Sequence, residues 1–169
     1  MLAKRRELDT DFVESCSSKV FNNLIGLSEF TRAKSVFCYV DFKNEIKTDK
    51  IREFCSCKTL YEPKIDGEIM YAVQNLGGEK LNCYGIREAE SFTPFLGDVD
   101  VTIVPLIACD RLGNRVGFGK GYYDKYLQDK KTIKIGLCYS FQVVESVPRG
   151  EFDCPLDYIV TEKEIIKVG

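Results

Sequence analysis

Short apolar runs, rich in strand-forming side chains, punctuate this chain and restrict what it can fold into. Ser35-Val36-Phe37-Cys38-Tyr39-Val40, Asp100 to Val104, Ile133 to Tyr139 and Tyr158-Ile159-Val160 are such runs, and Thr59-Leu60-Tyr61-Glu62-Pro63 reads as another, closed by its proline. Runs apolar on both faces belong to strands covered on both sides, the habit of parallel sheets. Helical patterns separate them. Phe12, Val13, Cys16, Val20, Leu24 and Leu27 recur at spacings of three and four, which predicts one amphipathic helix. It opens at Asp9 or Asp11, with Glu14 three residues after Asp11, and stops near Gly26. Thr48 predicts the cap of a second helix carrying Ile51 and Phe54. A third helix carries Tyr123, Tyr126 and Leu127. The alternation predicts an α/β fold with a largely parallel sheet between helix layers, in one domain spanning residues 1–169. Ligands of such sheets bind beyond the carboxyl ends of the strands, which draws attention to loops 41–45, 105–121 and 148–153.

The remaining stretches are less regular. Asp66-Gly67 predicts a hairpin turn leading into a strand over 68–73, and Gly77-Gly78 ends it. Residues 79–98 read mostly as loop, 141–144 as a short helix, and 162–169 as a tail.

The loop after the Asp100–Val104 run holds Gly113, Gly117, Gly119 and Gly121, four glycines in nine residues, with Arg115 and Lys120 among them. Glycines strip side chains from a loop and let backbone N–H groups turn toward an anion, and a helix behind it adds a favourable field. The spacing is neither GxGxxG nor GxxxxGK[ST], so generic dinucleotide and P-loop readings fail. On glycine count alone an ordinary turn competes with a phosphate cradle, and Arg115, Lys120 and the following helix favour the cradle. Tyr123 suits either core or site. Tyr122, on another helical face, is free to stack on a flat ring or simply to pack. Asp124 reads as a first-turn helix acid or as a Mg²⁺ ligand, with Asp153 or Asp157 as the second carboxylate. Glu45, after a buried strand, is either a solvated acid or a hydrogen-bond acceptor for a polar heterocycle.

Composition narrows the chemistry. There is no histidine, which removes Ser-His-Asp and Cys-His catalysis, HExxH zinc sites and any imidazole base. A net charge of −2 argues against a nucleic-acid surface. No apolar run approaches the roughly 20 residues that span a bilayer, and the basic start, Lys4-Arg5-Arg6, lacks the apolar segment of a signal peptide. The eight cysteines show no CxxC spacing and read as reduced core residues of a cytoplasmic protein, with a redox role for Cys55 and Cys57 as the weaker alternative.

The run Asp110-Arg111-Leu112-Gly113-Asn114-Arg115-Val116-Gly117-Phe118-Gly119-Lys120-Gly121-Tyr122-Tyr123-Asp124 closely resembles the signature of the 5-formyltetrahydrofolate cyclo-ligase family. Val104-Pro105 before it, Asn44-Glu45-Ile46-x-Thr48, Pro63 and Asp153-Cys154-Pro155-Leu156-Asp157 extend the likeness over nearly the whole chain, in order. A CoA- or sugar-phosphate-handling relative would lack the Tyr-Tyr-Asp ending of the loop. The resemblance implies a three-layer α/β/α sandwich with a mostly parallel central sheet. It implies ATP- and Mg²⁺-dependent conversion of 5-formyltetrahydrofolate to 5,10-methenyltetrahydrofolate, with ADP and phosphate released. By position, Arg115, Gly117, Phe118, Gly119, Lys120, Gly121, Tyr122 and Tyr123 fall where the family binds ATP. Val40, Glu45 and the run Phe118 to Tyr122 fall where it meets the folate, and Asp124 and Asp153 where it holds Mg²⁺. The partners implied are these two small molecules, with no nucleic acid and no membrane, acting on a cytoplasmic monomer. Two positions depart from the pattern. Val116 stands where leucine is usual. The family's Lys-x-x-x-Arg element, which touches the ATP phosphates from the first helix, would fall upstream of Met1, and Lys4 and Arg5 are out of its register. That departure motivates a second reading, a folate- or nucleotide-binding homologue with weak or no turnover.

Overall fold

A computed structural model of the protein describes residues 1–82, 84–90 and 92–169. The chain opens with α1 (Leu2–Arg6), α2 (Thr10–Leu24) and α3 (Ser28–Arg32), then β1 (Ser35–Cys38), α4 (Asp49–Phe54), β2 (Thr59–Asp66) and β3 (Ile69–Val73). Short strands follow, β4 (Glu79–Leu81), β5 (Arg87–Ala89) and β6 (Pro94–Phe95), before the central β7 (Val101–Pro105). A hairpin of β8 (Ala108–Asp110) and β9 (Arg115–Val116) leads through the glycine loop to α5 (Tyr122–Leu127). The chain finishes with β10 (Ile133–Leu137), β11 (Val143–Val144), β12 (Tyr158–Val160) and β13 (Ile165–Lys167).

The main sheet has the order β13-β12-β10-β7-β1-β2-β3-β6. Its centre, β12-β10-β7-β1-β2, is parallel, and β13, β3 and β6 add antiparallel edges. The expected α/β architecture with a mostly parallel central sheet is thus present. Alternation along the strands divides the core. Val36, Cys38, Val101, Ile103, Ile135 and Leu137 face α2, α3 and α4 and pack on Val13, Val20, Leu24, Phe30 and Ile51. Phe37, Val104 and Ile159 face the other way, toward α5 and the loops around it. Each such fully buried side chain contributes about 1.5–3 kcal/mol of transfer free energy. The two outer layers are unequal: three helices cover one face, while α5 is six residues long.

Several local expectations are corrected. Of the two acids expected to open α2, Asp9 is the cap, its carboxylate accepting from Phe12 N–H at 2.8 Å. Thr48 stands at the cap position of α4 but donates its hydroxyl to Asp41 Oδ1 (2.8 Å), which also accepts Thr48 N–H (2.9 Å). Pro63 does not close its strand. β2 pairs with β1 only through Tyr61, so the missing N–H falls where β1 has ended, and Pro63 continues opposite Ala72 of β3. Within 79–98 three short strands form, and the β4 residues are all exposed, so no apolar period announces them. Residues 141–144 give a 3₁₀ turn, Ser140–Gln142, and then β11 beside β8. The expected tail holds β13, which pairs with β12 and buries Ile166.

The cysteines divide. Cys16, Cys38, Cys55, Cys109 and Cys138 are buried, Cys154 is half-buried and Cys57 is exposed in a 3₁₀ turn, which corrects its reading as core. Cys83 lies outside the described residues. Among the described residues, no helix is long and apolar enough to cross a membrane.

Candidate functional site

The carboxyl ends of β1 and β7 are neighbours in the sheet, and the loops leaving them build two adjoining regions. The first is the loop after β1. Val40 is buried at its start, and Glu45 is buried within it. Glu45 Oε2 accepts Phe42 N–H at 2.9 Å, and Oε1 lies 3.6 Å from Arg5 Nη2. Burial raises the Glu45 carboxyl to about 7, against the opposing pull of the Phe42 N–H and the Arg5 charge. The loop is held from several sides. Asp41 accepts from Thr48 and from Lys47 Nζ (3.1 Å), Tyr39 donates its hydroxyl to Ile46 O (2.9 Å), and Tyr139 donates to Asn44 O (3.1 Å). Glu45 is therefore a fixed, buried carboxyl, not a solvated surface acid.

The second region follows β7. The β8–β9 hairpin is tied by Asp110, whose Oδ1 accepts from Leu112 and Asn114 N–H and whose Oδ2 accepts from Asn114 Nδ2. Gly113 belongs to this turn and not to the cradle. It takes a positive φ of 83°, and a Cβ there would stand 2.6 Å from Leu156 O, so both the turn and the close approach call for glycine. The open part of the loop is 117–120, all exposed, and Gly119 and Gly121 take positive φ of 82° and 66°. A Cβ at Gly117, Gly119 or Gly121 would meet nothing within 4 Å, so that space is open to a ligand. Lys120 is exposed on it. Because α5 is short, its axial field is weaker than the sequence suggests, and the loop's own N–H groups and Lys120 are the main attraction for an anion.

Arg115 does not stand free over this loop. It is buried, with Nη2 on Asp124 Oδ1 (2.7 Å) and Nη1 on Cys154 O (2.6 Å). Cys154 N–H also donates to Asp124 Oδ1 at 3.2 Å, so loop 148–154 is fastened to the start of α5. Asp153 adjoins Cys154, and its Oδ2 accepts Gly150 N–H at 2.7 Å. Among the described residues no hydrogen bond reaches Asp124 Oδ2. Hard oxygen donors from one or two carboxylates are what Mg²⁺ takes when phosphates and water complete its shell, so the donor set fits that ion. Asp157 is elsewhere: Lys134 N–H and Nζ bind its Oδ2 at 2.7 and 2.9 Å, at the amino end of β10.

Tyr123 is core on one side, its ring stacked on Phe37 with centroids 6.1 Å apart. Its hydroxyl is buried with no hydrogen-bond partner among the described residues, and burial raises it well above the usual phenol range. The Tyr122 hydroxyl reaches Gly67 O (3.3 Å) and Tyr84 Oη (3.2 Å), linking the loop to the β2–β3 hairpin. Phe118, 55% exposed, lies over Arg5, with Cζ 5.5 Å from the ring centroid. That contact joins the two regions, because Arg5 also meets Glu45.

Residues 1–162 match the sequence model of the 5-formyltetrahydrofolate cyclo-ligase family. The chain belongs to that family. Among cyclo-ligase relatives, the 5-formyltetrahydrofolate cyclo-ligase of Haemophilus influenzae is 32% identical over 81% of this chain and 80% of its own length. That of Mycoplasma genitalium is 30% identical over 95% and 92%. The solved 5,10-methenyltetrahydrofolate synthetase of Aquifex aeolicus superposes with a TM-score of 0.86 at 37% identity, covering 99% of this chain and 88% of that one. The cyclo-ligase resemblance and the α/β fold expected from it are both borne out.

Sequence reasoning missed Arg5. It set Arg5 aside as out of register, yet the structure buries it beside Glu45. One basic residue in a short basic helix carries no signal of a contact across a hundred positions of chain. Gln142 was missed likewise: its Nε2 donates to Leu106 O (3.2 Å) and Ile107 O (2.9 Å), fixing the path out of β7.

Proposed function

We propose that this chain catalyses the ATP- and Mg²⁺-dependent closure of 5-formyltetrahydrofolate to 5,10-methenyltetrahydrofolate, releasing ADP and phosphate. One observation carries the reading: Phe118 over Arg5 brings the open glycine loop beside the buried Glu45 carboxyl, which favours adjoining places for a phosphate donor and a polar heterocycle. Membership of the cyclo-ligase family supplies the substrate class.

Gly117, Phe118, Gly119, Lys120, Gly121, Tyr122 and Tyr123 form the ATP side, with Arg115 holding the frame through Asp124 and Cys154. Val40, Glu45 and the run Phe118 to Tyr122 form the folate side. Ionised Glu45 suits the adjacent N–H donors of a pterin ring. Asp124 and Asp153 would hold Mg²⁺, which supplies charge neutralisation to the polyphosphate when bound. The formyl oxygen attacks the γ-phosphorus and ADP leaves. N10 then adds to the activated formyl carbon, and phosphate departs with the former formyl oxygen. The protein's part is to align oxygen and phosphorus, shield the intermediate and neutralise charge, all of which a chain without histidine can do. Residues 1–169 act as one domain, a monomer working on two small molecules.

The test is a turnover assay following methenyltetrahydrofolate absorbance with purified protein, 5-formyltetrahydrofolate, ATP and Mg²⁺. Growth of the absorbance in proportion to enzyme and ADP is expected. Measurable folate binding without product would instead make the chain a binding homologue.

A further inference from the structure

Arg5 is the buried residue of α1, and its guanidinium reaches three parts of the site. Nη1 donates to Leu106 O beyond the end of β7 (3.3 Å), Nη2 stands 3.6 Å from Glu45 Oε1, and Cζ lies over the Phe118 ring. Burying a guanidinium is costly, and a helix of five residues is a weak anchor for it. Asn44 supplies the anchor. Its Nδ2 donates to Arg5 O (3.0 Å) and Leu8 O (2.9 Å) at the end of that helix. Asn44 precedes Glu45, so the loop that carries the carboxylate also grips the helix that carries its counter-charge.

The other groups around Glu45 leave Arg5 as its main cation. On its own loop Asp41 opposes ionisation and Lys47 favours it, but Lys47 Nζ is bound to Asp41 at 3.1 Å, so the two largely cancel. From the segment after β1 comes Tyr39, from α5 Tyr123 and from the segment after β10 Tyr139. All three are phenols held neutral by burial. Burial alone drives Glu45 toward its neutral form.

We propose that Arg5 is a positioning residue of this enzyme: it favours the ionised form of Glu45 and holds that carboxylate aimed at the pterin. This rests on the reading that Glu45 meets the folate. A neutral side chain at position 5 therefore leaves Glu45 protonated at pH 7, where it presents a donor to the pterin's donors.

The experiment compares wild type, Arg5→Gln, Arg5→Lys and Glu45→Gln. The Glu45 carboxyl is titrated by ¹³C NMR without ligand, and folate and ATP KM values are measured from pH 6 to 9. In Arg5→Gln the Glu45 titration should move up by about one pH unit or more. Folate KM should rise about fivefold or more at pH 7 and recover toward pH 9, with ATP KM within about twofold of wild type. Arg5→Lys, which keeps the charge, should titrate near wild type and carries the test if Arg5→Gln does not fold. An unmoved titration in Arg5→Gln, or an upward shift of a full unit in Arg5→Lys, overturns the role given to Arg5. A Glu45→Gln enzyme with unchanged folate KM overturns the pterin contact itself, and the proposal with it, whatever the titrations show.

Discussion

Glu45 is an acid held near 7 by burial, and that has a consequence for stability as well as for binding. A carboxyl whose folded value lies above its unfolded one, near 4.5, stabilises the fold fully below that lower value. The contribution fades as pH rises through about 7. The difference in stability between wild type and Glu45→Gln should therefore move against the wild type between pH 4.5 and 7.5, by on the order of 2 kcal/mol. Chemical denaturation at several pH values measures it, and a pH-independent difference would place Glu45 in a more solvated setting. Asp124 makes a different prediction, because it serves Arg115 and Cys154 through one oxygen. Asp124→Asn keeps most of those hydrogen bonds and loses the charge. It should weaken use of Mg-ATP by about a hundredfold or more in kcat/KM while folate binding changes little. Equal losses for both substrates would mean that Asp124 only supports the frame.

Among the elements, α2 and β13 show where sequence patterns speak and where they fall silent. α2 was readable because a long apolar stripe needs one face of a helix, and Val13, Cys16, Val20 and Leu24 are all buried. Its cap was readable only as a choice between two acids, since both stand before the stripe. Removing the observed cap, Asp9→Ala, should cost about 1 kcal/mol and lower Tm, whereas Asp11→Ala should change it little. β13 was unreadable, because three residues with Ile166 alone buried give neither period nor length. Ile166→Ala should cost about 2 kcal/mol or more if that strand packs as observed, and a thermal melt distinguishes this from a loose tail. The same physics explains Thr48. It stands at the cap position its type announced, but its hydroxyl donates to Asp41 and accepts from no backbone N–H of the helix.

Across the whole molecule, the parallel centre of the sheet followed from apolar runs alternating with helices, and the glycine loop and the loop of Glu45 both lie beyond the carboxyl ends of its strands. The glycine loop was legible because conformational freedom and charge are written locally. The joining of its two halves was not, because it runs through Arg5, Asn44 and Leu106, which are brought together only by the fold. Arg115 shows the same limit. Arg115 reads in the sequence as a cation beside a glycine loop, and only the fold shows that cation engaged by Asp124 and Cys154. In the proposed reaction these halves bring the formyl oxygen of one substrate onto the γ-phosphorus of the other. The most direct test is turnover of 5-formyltetrahydrofolate carrying ¹⁸O in its formyl group, with mass analysis of the phosphate released. The mechanism predicts one ¹⁸O atom in each phosphate. Release of unlabelled phosphate alongside methenyl product would contradict it.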